Sequence, residues 1–204
     1  MQRLLRLELP PRNKTVLKKL ARLILRISGW TTVGGTPEAP KAVIIAAPHT
    51  SNWDGVWALV YKVAVGLDIK FFAKKSLFWF PLGNLLRGLG AIELDRDRAI
   101  NVVQQAINEF ERHDSFYFGL APEGTRSLKP GWKTGFYRIA LGAEVPVYIG
   151  FLDFRNKRIG IGPRVDLCGD VETDLAVIRE HYKDIEGRWP EQASPIVFPD
   201  KVRP

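Results

Sequence analysis

Short apolar runs rich in β-branched residues alternate along this chain with longer stretches in which apolar residues recur every three to four positions, the pattern of strands alternating with amphipathic helices. Lys41-Ala-Val-Ile-Ile-Ala-Ala47 reads as a buried strand, because a run of that length and composition stops at Pro48. Asn52 to Val65 reads as a helix, residues 99–112 as another, and Phe116-Tyr-Phe118 as a second strand. The alternation predicts an α/β fold: a single domain with a mixed central sheet flanked by helices, preceded by an N-terminal amphipathic helix.

That first helix spans residues 13–30 and carries Lys14, Lys18, Arg22 and Arg26 at i+4 spacing, opposite Leu17, Leu20, Leu23, Ile24 and Ile27. A basic amphipathic helix of this kind suits the headgroup plane of an anionic membrane, with Trp30 at the interface. The same pattern also fits a helix packed on the protein's own core with solvated basic residues. Gly34-Gly-Thr-Pro-Glu-Ala-Pro40 is a breaker-rich connection, so residues 1–36 read as a membrane-associating segment and connection, and 37–204 as the main domain.

No run approaches the roughly 18 apolar residues needed to span a bilayer. The most apolar helical stretch, 56–67, is interrupted by Lys62. The basic residues of the N-terminus recur through its apolar segment and do not precede it, unlike a secretory signal. The expected location is cytoplasmic, peripheral on the inner leaflet of a membrane.

Composition narrows the function classes. A chain of 204 residues with 46% hydrophobic content can build one substantial core and is not a disordered polymer. The net charge of +8 calls for an anionic partner without choosing among nucleic acid, lipid and phosphorylated small molecules. Because the basic residues form a helical stripe and loop clusters and match no nucleic-acid recognition module, nucleic acid is not the expected partner. Cys168 is the chain's single cysteine, which excludes an intramolecular disulfide and a cysteine-rich metal site. His113 and His181 lie far apart in charged helical stretches, so no metal is expected.

The candidate chemistry begins at His49-Thr-Ser-Asn-Trp-Asp54, directly after the first strand. Imidazole exchanges a proton near neutral pH, and a carboxylate on its second nitrogen sets tautomer and orientation, so the pair suits a general base. Positions five apart lie about 140° from each other on a continuous helix, so the two side chains meet only if a turn separates them. The spacing also fits a loop histidine followed by an ordinary helix-start aspartate. After the second strand comes Ala121-Pro-Glu123-Gly124-Thr125-Arg126-Ser127, where glycine permits close backbone approach and Arg126 offers a planar fork for phosphate. Glu123 is expected to orient Arg126 or a substrate hydroxyl, or to stand as a surface charge in a turn. Lys74 and Lys75, set among large apolar residues, and Lys133, shortly after the Arg126 loop, are further candidates for an anion. Lysines that merely solubilise loops would look the same.

Taken together, His49-x4-Asp54 and Glu123-Gly-Thr-Arg126 resemble the glycerophospholipid acyltransferase family typified by 1-acylglycerol-3-phosphate acyltransferase. Gly90-Ala-Ile-Glu-Leu-Asp-Arg96 resembles the family's second block and Val145-Pro-Val-Tyr-Ile149 its fourth, in the family order. Pro48 stands where many members carry asparagine, and Ile149-Gly150 replaces a second proline. The resemblance implies an acyltransferase domain over 37–204 that moves a fatty acyl group from acyl-CoA or acyl carrier protein to the hydroxyl of a lysophospholipid, most of all 1-acylglycerol-3-phosphate. It assigns His49 and Asp54 to catalysis, Glu123, Gly124, Thr125 and Arg126 to the acceptor's phosphate, and Arg96 to anion binding, with no cofactor beyond the donor.

Two rivals belong to other classes. A serine hydrolase would need a nucleophile elbow, and no G-x-S-x-G occurs, leaving Ser51 and Ser127 as formal candidates only. A non-catalytic lipid-binding module would keep the fold and lose turnover. The proline-rich segment after Gly187 lacks periodicity and reads as a wrap over the domain surface.

Overall fold

The computed structural model describes residues 11–94 and 102–199. In chain order the elements are α1 (Pro11–Ile27), β1 (Thr31–Gly34), β2 (Lys41–Ala47), α2 (Asn52–Val65), β3 (Ile69–Lys74), α3 (Leu82–Gly88) and β4 (Ala91–Leu94). They continue with α4 (Val102–Arg112), β5 (Phe116–Leu120), α5 (Gly135–Gly142), β6 (Val147–Asp153), β7 (Arg158–Val165) and α6 (Val171–Tyr182). The expected strand at 41–47 and helix at 52–65 are present with those bounds.

β2 lies at the centre of a seven-stranded sheet ordered β1-β7-β6-β2-β5-β3-β4. It takes that place because both of its faces are apolar: Val43, Ile45 and Ala47 are buried on one side, Ala42 and Ile44 on the other. The five strands β6-β2-β5-β3-β4 run parallel, and β7 pairs antiparallel with β6 while β1 runs parallel to β7. The sheet is therefore mixed, as expected. One face is covered by Phe110 of α4, Phe136 and Ile139 of α5, and Leu175 and Ile178 of α6; the other by Tyr61 and Ala64 of α2 and Ala21 and Leu25 of α1. Parallel neighbours bring the loops after β6, β2 and β5 to one edge of the sheet.

The N-terminal helix packs on the protein's own core through one face and leaves a second apolar face open. Ala21 and Leu25 are buried against the α2 layer, where a fully buried leucine contributes about 1.5–3 kcal/mol. Arg22 Nε donates to the Ala64 carbonyl at 3.0 Å, one of the carbonyls that the end of α2 leaves without a helical partner. The other apolar face finds no cover: Leu20 and Leu23 are half exposed and Ile27 is 74% exposed.

Trp30 corrects the expectation of an interfacial anchor. Helix α1 ends at Ile27, Gly29 adopts φ 77°, and the chain turns inward, seating Trp30 beneath the sheet with ring centroids 5.4 Å from Trp57 and 5.0 Å from Phe154. The four residues of β1 then add an edge strand that the hydrophobic pattern did not announce, since all four are exposed. On α2, Lys62 is buried and donates to the carbonyls of Ile69 and Leu89, tying the entry of β3 to the end of α3. Burial lowers its pKa to about 8.

Candidate active site

The turn between β2 and α2 brings His49 and Asp54 together. Ser51 caps α2, its Oγ accepting from the Trp53 backbone N–H at 3.1 Å, and Asp54, in the first helical turn, reaches back over the loop. Asp54 Oδ2 accepts from the backbone N–H groups of Thr50 and Ser51, each at 2.8 Å, and lies 3.1 Å from His49 Nδ1. Such a pairing makes Nδ1 the protonated nitrogen and leaves Nε2 with its lone pair. Asp54 is 3% exposed and the His49 side chain 20%, so a buried carboxylate holds a ring that solvent and substrate can reach.

Glu123 sits on the adjacent loop, after β5, where it is neither a surface charge nor a partner of Arg126. Its side chain is buried and points inward, accepting from the His49 backbone N–H through Oε1 and from the Ser194 N–H through Oε2 at 3.2 Å. Burial raises its pKa, opposed by those two donors. It positions the peptide of His49 and makes no hydrogen bond to Arg126. Gly124 follows at φ 64°, and Lys133 lies across it: a β-carbon there would come within 2.8 Å of Lys133 Nζ. Thr125 and Ser127 pair through their hydroxyls at 3.2 Å. Arg126 is exposed, and among the described residues it has no hydrogen bond or ion pair.

The structure thus gathers His49, Asp54, Glu123, Gly124 and Lys133 around the ends of two neighbouring strands, with Arg126 exposed on the same loop, where open α/β sheets bind ligands. Lys75 is exposed in a 3₁₀ turn at the end of β3, one strand beyond β5, and has no described contact with this group. Lys74 ends β3. Arg96 lies outside the described residues. Among the described residues no cluster of three His, Cys, Asp or Glu side chains gathers in a metal-holding arrangement.

A sequence model of the acyltransferase family matches residues 31–149, more than half of the chain. The chain belongs to the acyltransferase family. Its fold is similar to that in the crystal structure of the 1-acyl-sn-glycerophosphate (LPA) acyltransferase PlsC from Thermotoga maritima, with a TM-score of 0.59 and 19% sequence identity. That match covers 86% of this chain and 80% of the other. No curated protein sequence matches it.

In this acyltransferase the C-terminal segment is part of the site's frame, a feature missed in the sequence because its bonds are nonlocal. Phe154 N–H donates to the Glu186 carbonyl at 2.8 Å, Trp189 N–H to Thr50 Oγ1 at 3.2 Å, and Lys129 N–H to Ser194 Oγ at 3.1 Å. Trp132 N–H closes the series on the Val197 carbonyl at 2.8 Å. Residues 186–198 therefore cross the loops after β6, β2 and β5 in sheet order, as a strap. Two glycines are its local signals: a β-carbon at Gly187 would lie 2.7 Å from Thr50 Oγ1, and one at Gly131 would lie 2.3 Å from the Val197 carbonyl oxygen. Ser51-x-x-Asp54 was a second available signal, since a capping box folds the acidic side chain back toward the residues that precede the helix.

Proposed function

We propose that this acyltransferase moves a fatty acyl group from acyl-CoA or acyl carrier protein to the free hydroxyl of a lysophospholipid, 1-acylglycerol-3-phosphate foremost. The observation that carries the reading is the 3.1 Å contact between His49 Nδ1 and buried Asp54, which leaves Nε2 free beside a cationic loop. Nε2 takes the proton of the acceptor hydroxyl as its oxygen attacks the thioester carbonyl. Collapse of the tetrahedral intermediate breaks the C–S bond, and the leaving thiolate takes the proton from the imidazolium, so no acyl-enzyme, metal or prosthetic group enters the balance.

Arg126, flanked by Lys133 and Gly124, receives the acceptor's phosphate in this scheme; the lack of any other partner for Arg126 among the described residues supports that role. A charge-assisted contact of about 1.5–3 kcal/mol corresponds to roughly a ten- to hundredfold rise in acceptor KM for Arg126→Ala, with kcat little changed. Initial rates of thiol release at varied lysophosphatidic acid measure it; an unchanged KM with collapsed kcat would remove the arginine from ground-state binding. The function itself is tested by thiol release from acyl-CoA and from acyl carrier protein, with and without lysophosphatidic acid. Lipid binding with no thiol release for any lysolipid would instead identify a non-catalytic lipid-binding module.

The enzyme would meet its lipid substrate as a peripheral protein on an anionic membrane, the inner leaflet in a cell, through the uncovered stripe of α1. No helix among the described residues is long and apolar enough to cross a membrane. The triple substitution of Leu20, Leu23 and Ile27 by glutamine should release the protein from anionic vesicles in a flotation assay and leave its melting temperature nearly unchanged, because those side chains are exposed. Undiminished flotation would move the attachment surface away from α1.

A further inference from the structure

Acyl transfer brings two phosphate-bearing substrates to one histidine. The acceptor's hydroxyl and phosphate are separated by a glycerol backbone, whereas the donor's thioester and its nearest phosphate are separated by a pantetheine arm. One anion station close to the base and a second at the rim are therefore needed, and the loop after β5 supplies the first in the function proposed above. Arg188 is exposed beside the segment that carries His49 and offers the second. It is carried by the strap, one residue before Trp189, whose N–H is bonded to Thr50, and one after Gly187, which packs on Thr50.

The Arg188 guanidinium carbon lies 5.6 Å from the ring centroid of Trp53, in the first turn of α2 next to Asp54, and 5.5 Å from that of Trp189. Both rings are about half exposed, Trp53 at 48% and Trp189 at 47%. Two aromatic faces restrict the planar cation without consuming its N–H groups, which lie in the guanidinium plane and remain free for an oxyanion. Among the described residues no carboxylate pairs with Arg188, in contrast to Arg155 and Arg158 nearby, which are bonded to Glu186 and Asp153 at 2.6 and 2.7 Å. The strap lies beyond residue 149, where the family match ends, so the acyltransferase pattern alone does not assign this residue.

The geometry points to Arg188, set between Trp53 and Trp189, as the residue that binds the phosphate of the acyl donor's pantetheine-bearing group. The inference rests on the acyl-transfer reading, and its test separates the two. Calorimetric titration with CoA reads binding without turnover: Arg188→Gln should weaken CoA affinity about tenfold, with Arg188→Lys intermediate because it keeps the charge and loses the planar fork. In steady-state thiol release the same variant should raise the donor KM about tenfold and leave acceptor KM and kcat within about twofold. An increase with both acyl-CoA and acyl carrier protein assigns the contact to the shared phosphopantetheine phosphate; an increase with acyl-CoA alone assigns it to the nucleotide phosphates. Equal CoA affinity in parent and variant, or an increase in acceptor KM, would overturn the assignment. So would a fall in kcat with both KM values raised, the signature of a loosened strap. An inactive parent whose CoA affinity still depends on Arg188 would refute the acyl-transfer reading and leave the phosphate site standing.

Discussion

Replacing His49 by alanine is expected to lower acceptor-dependent thiol release by about 10²–10⁴-fold, the usual contribution of a positioned general base. The structure makes this a clean substitution. The His49 side chain has one described polar contact, with Asp54, while the peptide that Glu123 holds belongs to the backbone and survives the change. Asp54 Oδ2 keeps its bonds from the Thr50 and Ser51 N–H groups, so the turn and the start of α2 stay in place. Near-parental melting with lost turnover is therefore the expected pair of results. Retained acceptor-dependent release in the alanine variant would sink the general-base reading and send the search to another proton acceptor. The serine alternatives gain little from the geometry: Ser51 Oγ is buried and engaged as the helix cap, and Ser127 pairs with Thr125 on the exposed loop.

How much of this was legible beforehand depends on where each signal resides. β2 and α2 are read from local pattern because six consecutive apolar residues end at a proline and the next helix starts at a capping serine. The His49–Asp54 contact was legible only as a possibility, since it requires the turn that Pro48 to Ser51 provide. β1 was not legible: a four-residue edge strand with every side chain exposed has no alternation to detect. Glu123 looked like one more polar residue in a loop because its partners, His49 and Ser194, lie 74 and 71 residues away in sequence. The same nonlocality hid the strap. Its role is set by backbone N–H and C=O groups, which nearly every residue carries, and the traces left in the sequence are Gly187 and Gly131, where a side chain would strike Thr50 and Val197. Amphipathicity, finally, announced a helix at α1 but could not say which of two apolar faces would find the core; Ala21 and Leu25 did, and the stripe through Leu20, Leu23 and Ile27 did not.

Asp54→Asn is the second substitution with a large expected effect, and the buried carboxylate shows why its charge matters beyond its shape. Oδ2 accepts from two backbone N–H groups and makes the 3.1 Å contact with His49 Nδ1. Oδ1 is buried with no hydrogen-bond partner among the described residues. An asparagine can be seated in two ways. With its oxygen at the Oδ2 position it preserves both backbone bonds and the His49 contact, but its amide then occupies the Oδ1 position as a buried donor without an acceptor, and the imidazolium formed in the reaction has lost its counter-charge. With the amide at the Oδ2 position, two backbone N–H groups face a donor, and His49 Nδ1 must become an acceptor, which places the proton on Nε2 and abolishes the base. Either seating removes catalysis, by about 10²–10⁴-fold as for the orienting carboxylate of other histidine bases. The first spares the fold more than the second, because it leaves the helix cap bonded. Thiol release at saturating donor and acceptor should therefore show the loss in kcat, while both KM values stay near parental and circular dichroism reports an intact fold. A variant that kept parental kcat would mean that Asp54 only builds the turn, and that the imidazole works without the carboxylate's charge.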